Sequence, residues 1–569
     1  MSESSITPEE QTVDFLSRPL LASINLDWEK AIYLLFIILA IITRFWGLGD
    51  RVMSHDESLH TQFSYQFYDG QGYQHTPLMH GPFLFHITSV SYWLFGDSDF
   101  AARIPVAIFG VILIIMPYFF RSWIGRVGGL FTSFIFLISP FVTYYSRYIR
   151  HDVYVIVWAL IVFIAIWYYF RQQKNKYLWW FAAGTALMFA TKEVAFIYVA
   201  IFGSFLIVRL LVKILPEKWL GENFAKLRIP LLIVLAGLML TAAGFVAQRA
   251  VSDVSTTEGT IEATEGFAAD PNVDQSITEQ PGSVSRNETV MRWLQVAGIG
   301  ILSLGLFLSL RAIRPEIDRL PEFDLIILFS TLLLPLASPL LITIVGWNPI
   351  DYSLNQCQLA GQESMSALQI LLARLGNTVC WTSFFESGVV RSGIFLFITM
   401  IAAALVGLWW NRRRWIIAAL IFYGILITLY TSIFTNLSGW TSGIIGSLGY
   451  WLEQQEVQRG SQPSFYYAFI VPFYEFLPLI FSLLAIRLWA QKQRTSRVLG
   501  YWIGVILLAL LAYSVTNWAY LGFTAPEGDA SVIPGIFAAG LVLIMAILIW
   551  IVYYRPRIIK VFELEYGIS

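Results

Sequence analysis

Apolar stretches of about 17 to 25 residues, each long enough to cross a bilayer as a helix, recur along almost the whole chain. They fall near 31–48, 104–120, 127–143, 153–170, 178–194, 195–212, 229–247, 293–310, 323–345, 393–410, 415–434, 470–490, 499–517 and 533–553. In hydrocarbon a spanning segment must satisfy its own backbone N–H and C=O groups, so runs of this length are restricted to helices. The expectation is an all-α polytopic membrane protein with about fourteen transmembrane helices. Composition points the same way, since 57% of the residues are hydrophobic and 13% charged, with a mean hydropathy of +0.64, far from the soluble average. The net charge of −1 singles out no partner, and nothing in the chain points to nucleic acid.

The charges set an expected orientation. Residues 1–30 read as a polar cytoplasmic tail with no short apolar core and cleavage site behind it, so the first span is expected to stay as an anchor. With that end inside, the connections 121–126, 171–177, 213–228, 311–322, 411–414, 487–498 and 554–569 are inside too, and they hold most of the 37 Lys and Arg. Both termini are then cytoplasmic, in a multi-pass protein of the cell membrane. The long connections lie outside: 50–103, which includes the short apolar segment Phe83 to Phe95, read as an interfacial helix, a polar and flexible 248–292, 346–391 and 435–469. The chain divides accordingly into a module at 31–247 and a second at 293–569. Cys357 and Cys380 share one exterior loop, which suggests a disulfide, with two free thiols as the alternative.

The polar residues that matter are concentrated on the outer side. Ser54-His55-Asp56-Glu57-Ser58-Leu59-His60 follows the first span directly. All six histidines, His55, His60, His75, His80, His86 and His151, fall in the first outer loop or beside Asp152. A residue type that titrates near neutrality and both donates and accepts hydrogen bonds is thus gathered at two points, as a polar reaction site requires. The junction 143–152 adds Arg147 and Arg150, and Lys192-Glu193 and Arg459 complete a set of acids and cations on that side. A carboxylate beside an acceptor hydroxyl can act as general base, and Arg or Lys at headgroup level can hold a phosphate. Helix capping for Asp56 and Glu57, headgroup contact for the arginines, an internal ion pair for Lys192-Glu193 and an interfacial aromatic belt for Tyr466 and Tyr467 are the structural alternatives. There is no His-Glu-x-x-His helix and no Gly-rich phosphate loop with Lys-Ser/Thr, and nothing in the ligand pattern indicates a metal or other cofactor.

The order of these elements resembles a known family. A first span, then Asp56-Glu57, then His75-x-Pro77-Leu78, then an Arg-bearing junction ending in Asp152, is similar to the protein O-mannosyltransferase and aminoarabinose transferase group of integral-membrane GT-C glycosyltransferases. The stretches His55 to His60 and Leu78 to Pro82, with Gln462-Pro463-x-x-Tyr466-Tyr467 and Tyr474-Glu475, resemble more closely the prokaryotic flippase activity-associated branch. That resemblance implies GT-C-like exterior loops, a polyprenyl-phosphate sugar donor, an exterior active site and inversion at the anomeric carbon. It implies Asp56 as the base, with Glu57 beside it and Asp152 as the second acid. Arg147, Arg150, Lys192 and Arg459 would then face the phosphate, while His55, His60, His75, His80, His151, Tyr466 and Tyr467 contact donor or acceptor. The acceptor would be protein, lipid or glycan. An accessory protein that binds lipid-linked sugars without transferring them is the other expectation.

Overall fold

The computed structural model describes residues 19–21, 26–214, 217–258, 286–351, 353–355, 357, 359, 365–453 and 473–492. The expected spans 499–517 and 533–553, and Arg459, Tyr466 and Tyr467, lie outside the described residues. A short antiparallel pair, Pro19–Leu21 with Leu26–Asp27, comes first, and the other regular elements among the described residues are helices.

Six described helical stretches are long and apolar enough to cross a membrane: Asp99–Ile138, Asp152–Gln172, Ala195–Ile214, Asn223–Gly244, Arg292–Ile317 and Gly388–Tyr430. Pro321–Leu333 and Pro335–Val345, bent by 51°, would make a seventh. Two of the six turn back on themselves. A straight helix of 40 residues, the length of Asp99–Ile138, would measure roughly 60 Å, twice the hydrocarbon thickness. Gly125 (φ 79°, ψ 160°) and Asn411 (φ −158°, ψ 104°) are non-helical breaks inside the two longest stretches. A Cβ on Gly129 would lie 3.5 Å from the Pro117 carbonyl oxygen, and one on Gly407 would lie 2.1 Å from the Trp415 indole nitrogen. In continuous helices those partners would be roughly 18 and 12 Å apart, so the chain reverses at both breaks. The reversals fall inside 121–126 and 411–414, where the sequence puts connections.

The first helix, α1 (Trp28–Phe45), turns an apolar face outward through Leu34, Leu35, Ile38, Ile41 and Ile42. After it come α2 (His55–Tyr68), α3 (Phe83–Phe95), α4 (Asp99–Ile115), α5 (Pro117–Ile138), α6 (Pro140–Tyr145), α7 (Asp152–Gln172), α8 (Asn175–Phe189) and α9 (Ala195–Ile214). Ser98 caps α4 by accepting from the Ala101 amide at 3.1 Å, and Asp99 occupies its positive first turn. Helix α3 is buried along much of its length. Leu84, Phe85 and Tyr92 are buried against Ala101, Ala102 and Val106 of α4 and Val153 and Tyr154 of α7, and its other end exposes Trp93, Leu94 and Phe95. The connection between α1 and α4 therefore has a hydrophobic floor made by the ends of α4 and α7. A larger core joins α7 and α8 to Phe323, Leu328, Phe422 and Leu426.

Polar groups gather at the opposite end. Glu29 pairs with Arg121 at 2.9 Å and Arg126 at 3.4 Å. Glu322 takes Arg209 and Lys213, and Asp324 takes Tyr169, Trp410 and Arg414. These contacts join segments that the charge pattern assigns to one membrane face.

The chain divides into two compact units, Met1–Leu130 with Tyr145–Trp451, and Phe131–Tyr144 with Leu452–Ser569. Within the second, Glu475 accepts from the Ser139 hydroxyl at 2.5 Å and the Phe141 amide at 3.3 Å, and Phe131 meets Phe481 edge to face.

Candidate functional site

Four segments of the first unit meet at one end of the bundle: the start of α2, the strap 73–83, the junction 146–152 and the turn 190–193. Each is held by contacts that can be traced to its own residues.

Ser54-x-x-Glu57 forms a capping box at the start of α2. Ser54 Oγ accepts from the Glu57 amide at 3.4 Å and Glu57 Oε2 accepts from the Ser54 amide at 3.2 Å. Glu57 does more than cap. It is fully buried, and it also accepts from Arg51 (2.7 Å), from Arg103 Nε (3.1 Å) and Nη2 (3.3 Å), and from the Ile149 amide (3.2 Å). Burial opposes its charge, but Arg103 and the amides of Ser54 and Ile149 outweigh burial and hold its carboxyl below the ordinary range. Glu57 therefore locks the start of α2 to α4 and to the 146–152 junction. Its neighbour Asp56 points the other way, half-exposed, and pairs with Arg150 at 3.1 Å.

The strap is fixed from three sides. The Gly81 amide donates to the Thr191 carbonyl at 3.1 Å and the Phe83 amide to that of Ala190 at 2.9 Å. A Cβ on Gly81 would lie 2.2 Å from the Ala190 oxygen, so only glycine permits this approach. His75 Nε2 donates to the His80 carbonyl at 3.1 Å, which leaves Nδ1 to accept from the Ser442 hydroxyl at 2.9 Å. Ser442 opens a π-helical turn, Ser442–Gly446, a device frequent at functional sites. Ser432 Oγ donates to the Tyr73 carbonyl at 2.8 Å, and Ser432, Ile433 and Phe434 are three successive residues with left-handed φ.

The histidines form a cluster. The His60 and His151 rings lie 5.1 Å apart and those of His80 and His151 5.4 Å apart. His60 donates from Nδ1 to the Asp56 carbonyl at 2.5 Å, and His151 from Nε2 to that of Gly81 at 3.2 Å. Burial pushes His60 and His151 below the ordinary histidine range, and His75 down to about 3, so all three rings are neutral near pH 7. His80 differs. Its ring is partly exposed, and Nδ1 faces buried Glu193 Oε2 at 2.6 Å. His55 lies exposed on α2, and His86 is buried on α3, with Nδ1 bonded to the Pro82 carbonyl at 2.8 Å and its ring 5.0 Å from that of Phe67 on α2.

Two accessible acid–cation pairs flank the cluster, Asp56 with Arg150 and Asp152 with Lys192 (2.7 Å). Asp152 begins α7 after an irregular junction, which is how it and Arg150 take different partners. Arg147 has another use. Its guanidinium donates to the carbonyls of Thr43, Arg44, Trp46 and Gly47 at 2.7–3.3 Å, closing the C-terminus of α1.

The structure thus brings together Asp56, Glu57, His60, His75, His80, Arg150, His151, Asp152 and Lys192. Three partners were not read as such from the sequence: Arg103, Glu193 in its pairing with His80, and Ser442. Glu57 takes the capping role given above as its structural alternative, but its pairing with Arg103, 46 positions on, has no local signal. Cys357 and Cys380 are joined, with Cα atoms 5.1 Å apart. Among the described residues no group of three His, Cys, Asp or Glu could hold a metal ion.

Residues 79–241 match the family model described as dolichyl-phosphate-mannose-protein mannosyltransferase. No curated protein and no solved structure matches. The matched stretch includes His80, Arg150, His151, Asp152, Lys192 and Glu193, and it supports a membrane glycosyltransferase of the GT-C type.

Proposed function

We propose that this protein transfers a sugar from a polyprenyl phosphate to an acceptor hydroxyl, with inversion, at the end of the bundle where Asp56 and Arg150 meet. The observation that carries this reading is the pair of accessible couples, Asp56 with Arg150 and Asp152 with Lys192, on a cluster otherwise locked by buried contacts. Chemistry of this kind needs a base and a phosphate-binding cation side by side, and both are here.

In the reaction the acceptor oxygen attacks the anomeric carbon and its proton passes to Asp56. The bond from that carbon to the phosphate oxygen breaks, and its electron pair leaves with the polyprenyl phosphate. The phosphodiester carries one negative charge and the departing monoester about two, so cations fixed beside it stabilise the transition state more than the ground state. Arg150 and Lys192 fill that role. Arg147, engaged by four carbonyls, holds the loop in place instead, and Glu57 does the same from its buried position. Asp152 aligns Lys192. The proposed face is the exterior one, reached by a lipid-linked donor from the outer leaflet, and the acceptor is a hydroxyl of protein, lipid or glycan.

Asp56→Asn keeps the side-chain shape and loses its basicity. The variant should bind polyprenyl phosphate as the native protein does and fail in transfer, whereas Arg150→Ala should also lose binding. Full restoration of the envelope glycan profile of a deletion strain by Asp56→Asn would refute the assignment. It would favour an accessory protein that binds lipid-linked sugars.

A further inference from the structure

His80 is held more tightly than a loop histidine needs to be. Its backbone sits at φ 64° and ψ −160°, a region costly for any residue with a Cβ. The His75 ring bonds its carbonyl at 3.1 Å, and the next residues are hydrogen-bonded to the 190–191 backbone. Strain of this kind persists only where the surroundings over-determine it, and such positions concentrate at functional sites.

The ring itself is oriented by a buried acid. Glu193 is 5% exposed and its Oε2 lies 2.6 Å from His80 Nδ1. An ionised carboxylate can only accept, so Nδ1 carries the hydrogen, and in the neutral imidazole Nε2 is then the acceptor. Among the described residues no hydrogen bond engages Nε2. The charged and titratable groups around the ring are Glu193, His75, His151, His60 behind it, and the Asp152–Lys192 couple on the turn that carries Glu193. Of the rings packed together here, those of His60, His75 and His151 are buried, and only His80 reaches the accessible side.

We propose that His80, fixed by Glu193, accepts a hydrogen bond at Nε2 from a hydroxyl of the carbohydrate substrate and so helps to select it. This rests on the glycosyl-transfer reading above. His80 is then a substrate-contacting residue and Glu193 its positioning residue. The hydroxyl belongs either to the donor sugar or to the acceptor, and kinetics separate the two.

Glutamine places its amide where Nε2 lies, whereas asparagine places its amide where Nδ1 lies. In washed membranes supplied with polyprenyl-phospho-[14C]mannose, His80→Gln should keep transfer within a few-fold of native, while His80→Asn should lose about tenfold to hundredfold, as expected for a polar group left without its partner. Glu193→Gln should fall between them, since the ring is no longer held in one tautomer. A raised donor KM at unchanged kcat assigns the hydroxyl to the donor sugar. A lowered kcat at unchanged donor KM assigns it to the acceptor. Polyprenyl phosphate, which has no sugar hydroxyl, should bind all three variants as it binds the native protein. Retained transfer in His80→Asn with loss in His80→Gln would reveal a link to Glu193 that is only structural and would overturn the proposal. Native rates in both His80 variants, or weakened binding of polyprenyl phosphate, would overturn it as well. Absence of transfer by the native protein would instead refute the glycosyl-transfer reading, and the proposal with it.

Discussion

Glu57→Gln is expected to weaken the fold by about 3–5 kcal/mol, the cost of breaking a buried ion pair from one side. The figure follows from the contacts. Oε1 accepts from Arg103 Nε and the Ile149 amide, and Oε2 from Arg51, Arg103 Nη2 and the Ser54 amide. A glutamine nitrogen can accept from none of these, so at least two bonds are lost whichever way the amide turns, at about 1.5–3 kcal/mol for each that involves a charge. Arg103, fully buried, keeps the Leu48 and Arg51 carbonyls and one bond to the glutamine oxygen but loses the carboxylate that balances its charge. Chemical denaturation of the detergent-solubilised protein measures the loss, with Asp56→Asn as the control expected to change little because Asp56 is half-exposed. The sign of the pH dependence follows from the lowered carboxyl. Its stabilisation is complete above the ordinary glutamate range and is lost as pH falls through the depressed value. The glutamine variant should lack that acid-side loss. A destabilisation under about 1 kcal/mol, or an equal effect in Asp56→Asn, would refute the division of labour between these adjacent carboxylates.

Gly81→Ala should detach the strap from the 190–193 turn, because the new methyl would meet a backbone carbonyl at 2.2 Å; faster amide exchange at Gly81 and Phe83 would report it, and native protection would refute it. Burial holds His75 down to about 3 from 6.5, so its contribution to stability is complete above pH 6.5 and is lost as pH falls toward 3, at up to about 1.4 kcal/mol per pH unit. His75→Gln should flatten that part of the stability profile. Arg147→Ala should lower stability while leaving the affinity for polyprenyl phosphate near native, the reverse of Arg150→Ala; equal loss of affinity in both would return Arg147 to the phosphate.

The sequence makes the membrane class plain because length and hydropathy alone decide it, and it places the two helical reversals because 121–126 and 411–414 break the apolar runs with basic residues. It also brings forward Asp56, Arg150, His80 and Asp152 as candidates. What it does not carry is the division of work among neighbours. Asp56 and Glu57 are adjacent and alike in chemistry, yet one is half-exposed and the other fully buried, because successive positions on a helix face directions about 100° apart. Arg147 and Arg150 look like a matched pair by spacing, but the irregular junction sends one to the end of α1 and the other to Asp56. The Glu193–His80 and Ser442–His75 contacts join residues 113 and 367 positions apart, beyond the reach of any local pattern.

The most direct test of the transfer reading is release of polyprenyl monophosphate. Transfer must convert the donor phosphodiester into the monoester, whereas binding or export leaves it intact. In washed membranes containing the native protein, polyprenyl-phosphomannose should yield monophosphate in step with sugar incorporation. Asp56→Asn should lower that rate by about 10²–10⁴, as expected for loss of a positioned base. Donor that binds the native protein but yields no monophosphate, or equal release by the native and Asp56→Asn proteins, would contradict the account.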